Sequence, residues 1–271
     1  MIQLDGRTVG YEVHGAGDPV VLCQPTWWPL DPWRLSGVPQ LATDYRLVLF
    51  NHRGIGASLG TDTEYTIESM AQDTLALIDA LGIERADLVT FANGSIVALR
   101  VAELAPERVR SLVLGAPGSP VSTAPRRVSE RQRQHLAEIG YETFIRGHAV
   151  DPELFSPATY KAHPSRGDDL SDAMWAHAGT EEEYFKHALA RTSFDVMKDV
   201  GRVTQPVLVM TGAEDTVARG DSNPVESSRY IAGRIPQATL ELMPGVKHML
   251  YWEAPEVCWG RVLGFLRAAP K

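Results

Sequence analysis

The chain has 271 residues, 44% hydrophobic and 22% charged, with 26 basic against 34 acidic side chains and a formal net charge of -8. That length suits one large domain, or one domain carrying an inserted lid, and the composition excludes a disordered, collagen-like or fibrous protein. The acidic balance, with no basic block to track a phosphate backbone, argues against nucleic acid as a partner.

Residues 1–5 carry no basic leader followed by an apolar run, and no stretch reaches the roughly 18 apolar residues of a spanning helix. Neither secretion nor a membrane is expected. Cys23 and Cys258 each lie in an apolar stretch and read as small core residues of a reducing compartment, so a cytoplasmic location is expected.

In chain order, residues 1–14 around Gly6 predict an antiparallel hairpin added at a sheet edge. Unbroken apolar runs at 19–24 and 46–50, bounded by turn formers, predict strands buried on both faces of a parallel sheet. Apolar side chains at 67, 70, 71, 75, 78 and 81 predict a helix over 67–81, stopped by Gly82. A strand at 87–91 and a helix from Gly94 to Leu104, closed by Pro106, come next, followed by a strand at 110–114.

Residues 118–200 break this alternation. Gly118, Pro120 and Pro125 open a stretch with helical segments near 127–139, 151–160, 168–176 and 181–198 and no strand, which predicts a helical lid. It carries Phe144, Phe155, Trp175, Tyr184, Phe185, Phe194 and Met197, which either line a pocket or fasten the lid to the main domain. Strands at 206–211 and 238–243 and a helix at 255–266 complete the pattern. The expected organisation is a core domain in two parts, 1–117 and 201–271, around a lid at 118–200.

Four segments carry a family resemblance: Asn51-His52-Arg53-Gly54-Ile55-Gly56-Ala57-Ser58, the stretch from Leu88 to Leu99, Thr211-Gly212-Ala213-Glu214-Asp215, and Gly245-Val246-Lys247-His248. In this order and at these distances the chain resembles the α/β-hydrolase superfamily, in its lid-bearing branch of esterases, epoxide hydrolases, carbon–carbon bond hydrolases and haloalkane dehalogenases. The resemblance implies an α/β fold with a mostly parallel central sheet, flanking helices and a helical lid insertion. One fold hosts many reactions, so it does not by itself choose among them.

The family pattern centres a nucleophile in a Gly-x-Ser-x-Gly elbow. The matching stretch here is Thr90-Phe91-Ala92-Asn93-Gly94, which puts Ala92 at the nucleophile position. A methyl group cannot attack a carbonyl, so no acyl-enzyme is expected from the chain as it stands. Ser95 lies one helical turn on, where a small side chain suits close packing better than catalysis.

The resemblance further implies Asp215 as the orienting acid, with Glu214 its neighbouring competitor, and His248 as the general base. It assigns the oxyanion hole to the backbone N–H groups of Thr26 and Asn93, although Gln24-Pro25 stands where many relatives read His-Gly. Trp27, Trp28 and Trp33 would make an aromatic wall, and Phe144, Trp175 and Phe185 would meet substrate from the lid. His52 either reaches substrate near the mouth or holds a structural hydrogen bond. His135, His148, His163, His177 and His187 repeat no metal-ligand spacing, and Gly54-Ile55-Gly56 is too short for a dinucleotide fingerprint.

No cofactor or metal is expected. The expected partner is a small-molecule substrate, and a homodimer is the one assembly considered. Ala92 admits three readings. It replaces the serine of a hydrolase acting on an ester, lactone or related acyl or ketone compound with an apolar or aromatic portion. It is natural, and His248 and Asp215 perform lyase, decarboxylase or cyclase chemistry. Or the chain is a binding pseudoenzyme.

Overall fold

The computed structural model describes residues 1–4, 6–58, 65–118, 125–192, 200–217 and 223–270. A hairpin of β1 (Ile2–Leu4) and β2 (Arg7–Val9) precedes β3 (Tyr11–His14), β4 (Asp18–Cys23), α1 (Asp31–Arg34), α2 (Val38–Leu41) and β5 (Tyr45–Phe50). Then come α3 (Ile67–Ala80), β6 (Ala86–Phe91), α4 (Gly94–Leu104) and β7 (Val109–Gly115). The helical insertion holds α5 (Pro125–Ile139), α6 (Tyr141–Val150), α7 (Pro157–Ala162), α8 (Arg166–Ala176) and α9 (Glu181–Thr192). The chain returns through β8 (Val207–Gly212), α10 (Pro224–Ala232), β9 (Ala238–Met243), α11 (Leu250–Glu253) and α12 (Pro255–Ala268).

Seven strands form one sheet in the order β3-β5-β4-β6-β7-β8-β9. Only the β3–β5 pairing is antiparallel; the other neighbours run parallel. The two-residue period of a strand divides the core between the faces: Val20 and Leu22 join one apolar cluster while Val21 and Cys23 join the other. Both cysteines are free and buried, and desolvation pushes the Cys23 thiol up to about 12. The helix over 67–80 starts at Thr66, whose side chain accepts from the Ser69 amide, and ends before Gly82 at φ +66°.

The structure departs from expectation at the N-terminal hairpin and around 141–160. The edge element is β3 alone, whereas β1 and β2 form a separate two-stranded sheet whose Leu4 and Val9 pack into the cluster that contains α3. The stretch 151–160 holds a helix only from Pro157, because Ser156 supplies its N-cap, and α6 stands where no helix was expected. The last predicted lid helix is described as far as Thr192, and Phe194 and Met197 lie outside the described residues. Among the described residues no helix is long and apolar enough to cross a membrane.

Candidate active site

Parallel strands bring their C-terminal ends to one edge of the sheet, and the candidate residues sit on the loops leaving it. β6 ends at Phe91, and Ala92 follows with φ +46°, a left-handed conformation that an L-residue adopts at a cost of about 1–2 kcal/mol. Its amide donates to the Gly115 carbonyl at 2.8 Å, and its carbonyl accepts the Ser95 amide at 3.1 Å as α4 begins. This is the sharp strand-to-helix turn that lifts a side chain above the sheet.

Gly94 permits the tight approach behind it, since a Cβ there would overlap the carbonyl oxygens of Cys23 and Gln24. The N-terminus of α4 thereby lies against the loop after β4. In that loop Gln24 Nε2 donates to the Phe50 carbonyl, Trp28 N–H donates to Pro25 O at 2.9 Å, and Leu30 N–H donates to Asn51 Oδ1 at 2.7 Å. Among the described residues the amides of Thr26 and Asn93 donate to no protein acceptor. The Asn93 amide follows Ala92 directly at the N-terminus of α4, the positive end of a helix, and Thr26 lies two residues past Gln24, whose carbonyl Gly94 approaches.

Asp215 stands in the loop after β8, fully buried, and its Oδ2 lies 2.7 Å from His248 Nδ1. The second oxygen, Oδ1, is buried with no hydrogen-bond partner among the described residues, so the carboxylate is directed onto the imidazole. Glu214 is exposed, which removes it as the competitor. His248 is 5% exposed, and its ring lies 5.2 Å from that of Phe91, the residue before Ala92. A Cβ on Gly212 would overlap the carbonyls of Val246 and Lys247, so this glycine lets the His248 loop close down on β8.

The other candidates divide. Trp28 packs its ring against Phe91 at 5.6 Å and Trp252 at 5.7 Å, while Trp27 reaches the lid at His148 (4.9 Å) and Tyr184 (5.3 Å). Phe144 backs that contact, 5.2 Å from Tyr184. Trp33 is not a cleft residue: it is buried among Tyr251, Trp252 and Trp259. Trp175 packs between Tyr141 and Arg146, and Phe185 lies under Arg133 facing a lid groove of about 390 Å³ that contains none of the candidates around Ala92. Ser95 is buried, with its Oγ 2.6 Å from Thr90 Oγ1, as close packing requires.

His52 is 2% exposed rather than at a mouth, its ring 5.0 Å from that of Phe50. Burial holds its pKa down at about 4. His187, whose Nε2 lies 2.8 Å from the Arg53 carbonyl, is held at about 3 by burial and by the neighbouring His52. Both imidazoles are neutral near pH 7. Sequence reasoning missed Trp252 and Glu253, which a short helix brings beneath the site from just after His248.

The alpha/beta hydrolase fold family matches residues 13–255. The chain belongs to that family. This α/β-hydrolase is 30% identical to a putative carbamate hydrolase RutD of Caulobacter sp., over 83% of this chain and 82% of the relative. It is 28% identical to a putative non-heme bromoperoxidase BpoC of Mycobacterium tuberculosis, over 95% and 97% of the two chains. Among solved structures, a hydrolase from Pseudomonas aeruginosa superposes with a TM-score of 0.83 at 26% identity, covering 97% of this chain and 96% of that one. The kinship puts this α/β-hydrolase among hydrolase-type enzymes.

Proposed function

We propose that this α/β-hydrolase is built for serine-type hydrolysis of an ester, lactone or related acyl compound with an apolar portion, and that Ala92 holds the nucleophile position and blocks acyl-enzyme turnover. The observation that carries this reading is Ala92 itself: a methyl-bearing residue kept at φ +46° between β6 and α4, the backbone that a nucleophile elbow calls for at that place. The RutD relatives support the substrate class, since carbamate hydrolysis is also attack at an acyl carbon.

The roles follow from position. In an Ala92→Ser protein the hydroxyl oxygen attacks the acyl carbon, and His248 Nε2 takes its proton. Asp215, 2.7 Å from Nδ1, fixes the tautomer and stabilises the imidazolium. The unspent amides of Thr26 and Asn93 receive the negative charge of the tetrahedral intermediate. His248 returns the proton to the leaving group, and water then hydrolyses the acyl-enzyme by the same steps. Trp27 and Trp28 offer the apolar wall, and Trp28 Nε1, buried with no acceptor among the described residues, offers a donor to a polar group. Restoring the hydroxyl tests the reading: Ala92→Ser is expected to gain hydrolysis of activated esters, and a folded variant without it would contradict the proposal.

A second reading is favoured by one observation, the coexistence of Ala92 with a buried His248–Asp215 pair and two amides that have no acceptor among the described residues. In it His248 removes a proton from substrate directly and the amides stabilise an enolate, giving lyase, decarboxylase or cyclase chemistry. Solvent proton exchange into a ketone by the Ala92 chain, abolished by His248→Ala, is the expected signature. Binding without turnover is the weakest reading, because recognition alone has no use for a buried carboxylate aimed at a histidine.

A further inference from the structure

One half-buried carboxylate joins the lid to the loop of His248. Glu253 closes α11. Its Oε2 accepts the amide of Lys247, the residue before His248, at 2.6 Å. Its Oε1 accepts the amide of Ser156 at 2.6 Å and the hydroxyl of Thr159 at 3.1 Å, both at the start of α7. The same two segments touch twice more: Met249 N–H donates to Leu154 O at 3.1 Å, and the Lys247 side chain donates through Nζ to Pro152 O at 2.9 Å. The amides on either side of His248 are therefore both committed, one to Glu253 and one to the lid.

A carboxylate at the start of a helix is ordinary stabilisation. Here the second oxygen does something different, because it fixes the backbone from which His248 projects. Hydrogen bonds to a charged acceptor are about twice as strong as neutral ones, and because one side chain accepts from both segments, each set of bonds holds the carboxylate in place for the other. The preceding residue, Trp252, packs on Trp28 and Phe91, so the helix that carries Glu253 is itself braced against the residues around Ala92.

We infer that Glu253 is a positioning residue that couples the lid segment 152–159 to the His248 loop, so that lid docking and the placement of the imidazole are gained and lost together. Its importance for turnover rests on the reading of His248 as general base; the coupling itself does not. A lid that lifts to admit substrate would then loosen the base, and the base would regain its place only with the lid down.

Hydrogen exchange on the full chain tests the coupling without requiring activity. Glu253→Ala is expected to speed amide exchange by about tenfold or more in both 152–159 and 246–250, with α3 unchanged. Thr159→Val removes one donor on the lid side only, yet the Lys247 amide is expected to exchange faster as well. Acceleration confined to one segment, or absent from both, overturns the proposal. If Glu253→Ala does not fold, Glu253→Gln serves, since its amide nitrogen cannot accept one of the two backbone N–H groups. In an Ala92→Ser background Glu253→Gln is expected to lower kcat about tenfold while KM stays within about twofold. Raised KM at unchanged kcat contradicts positioning. An Ala92→Ser protein that hydrolyses nothing contradicts the functional reading and leaves the exchange result to stand alone.

Discussion

The amide of Ala92 donates to the carbonyl of Gly115 at 2.8 Å while the Ala92 backbone sits at φ +46°. Strand pairing thus holds a side chain in a conformation it does not favour. Ala92→Gly relieves that strain but adds freedom to the unfolded chain, and the first effect is the larger. The variant is expected to be more stable by about 0.5–1 kcal/mol, read as a higher urea midpoint at unchanged m-value. An unchanged or lower midpoint would argue against strain at this position.

Gly94 and Gly212 hold opposite sides of the site by close backbone approach. A Cβ at either would overlap carbonyl oxygens, of Cys23 and Gln24 in one case and of Val246 and Lys247 in the other. Gly94→Ala and Gly212→Ala are each expected to destabilise by about 1–3 kcal/mol in thermal or urea unfolding. Gly245→Ala serves as a comparison: it is strained at φ +74° but meets no neighbour within 4 Å, so it should cost less than Gly212→Ala.

His52 and His187 give stability a defined pH dependence. Their folded-state pKa values, about 4 and about 3, lie below the ordinary histidine value because burial disfavours the charged ring. At acid pH the unfolded chain therefore binds more protons than the folded one. Each histidine's contribution is full above about pH 6.5 and is lost as pH falls towards the folded value, about 1–2 kcal/mol per ring between pH 7 and 5. His187→Leu should flatten the dependence of unfolding free energy on pH over that interval. A slope equal to the parent's would show that His187 is already charged, or exposed, in the folded protein.

The parallel strands were legible because burial on both faces leaves an unbroken apolar run, as at 20–23 and 47–50. The hairpin at the N-terminus was legible as local pairing, but its separation from the sheet depends on β3 pairing with β5, a contact that sequence periodicity does not encode. Asp215 and Glu214 are chemically equivalent neighbours, and only burial separates them. Aromatic residues were the least legible. Trp28, in the loop after β4, and Trp33, in α1, sit five positions apart, yet one faces Phe91 and the other is enclosed by Tyr251 and Trp259. Glu253 carried no signal of its own, because its partners Ser156 and Thr159 lie almost a hundred positions away.

The most direct test of the functional account is covalent labelling of the Ala92→Ser protein with a fluorophosphonate, followed by mass spectrometry. The account predicts one phosphonyl adduct on residue 92, none on the parent chain, and loss of ester hydrolysis by about 10³-fold when His248→Ala is added. An Ala92→Ser protein that unfolds like the parent yet takes no label would contradict it, and would leave proton transfer by His248 as the chemistry of this site.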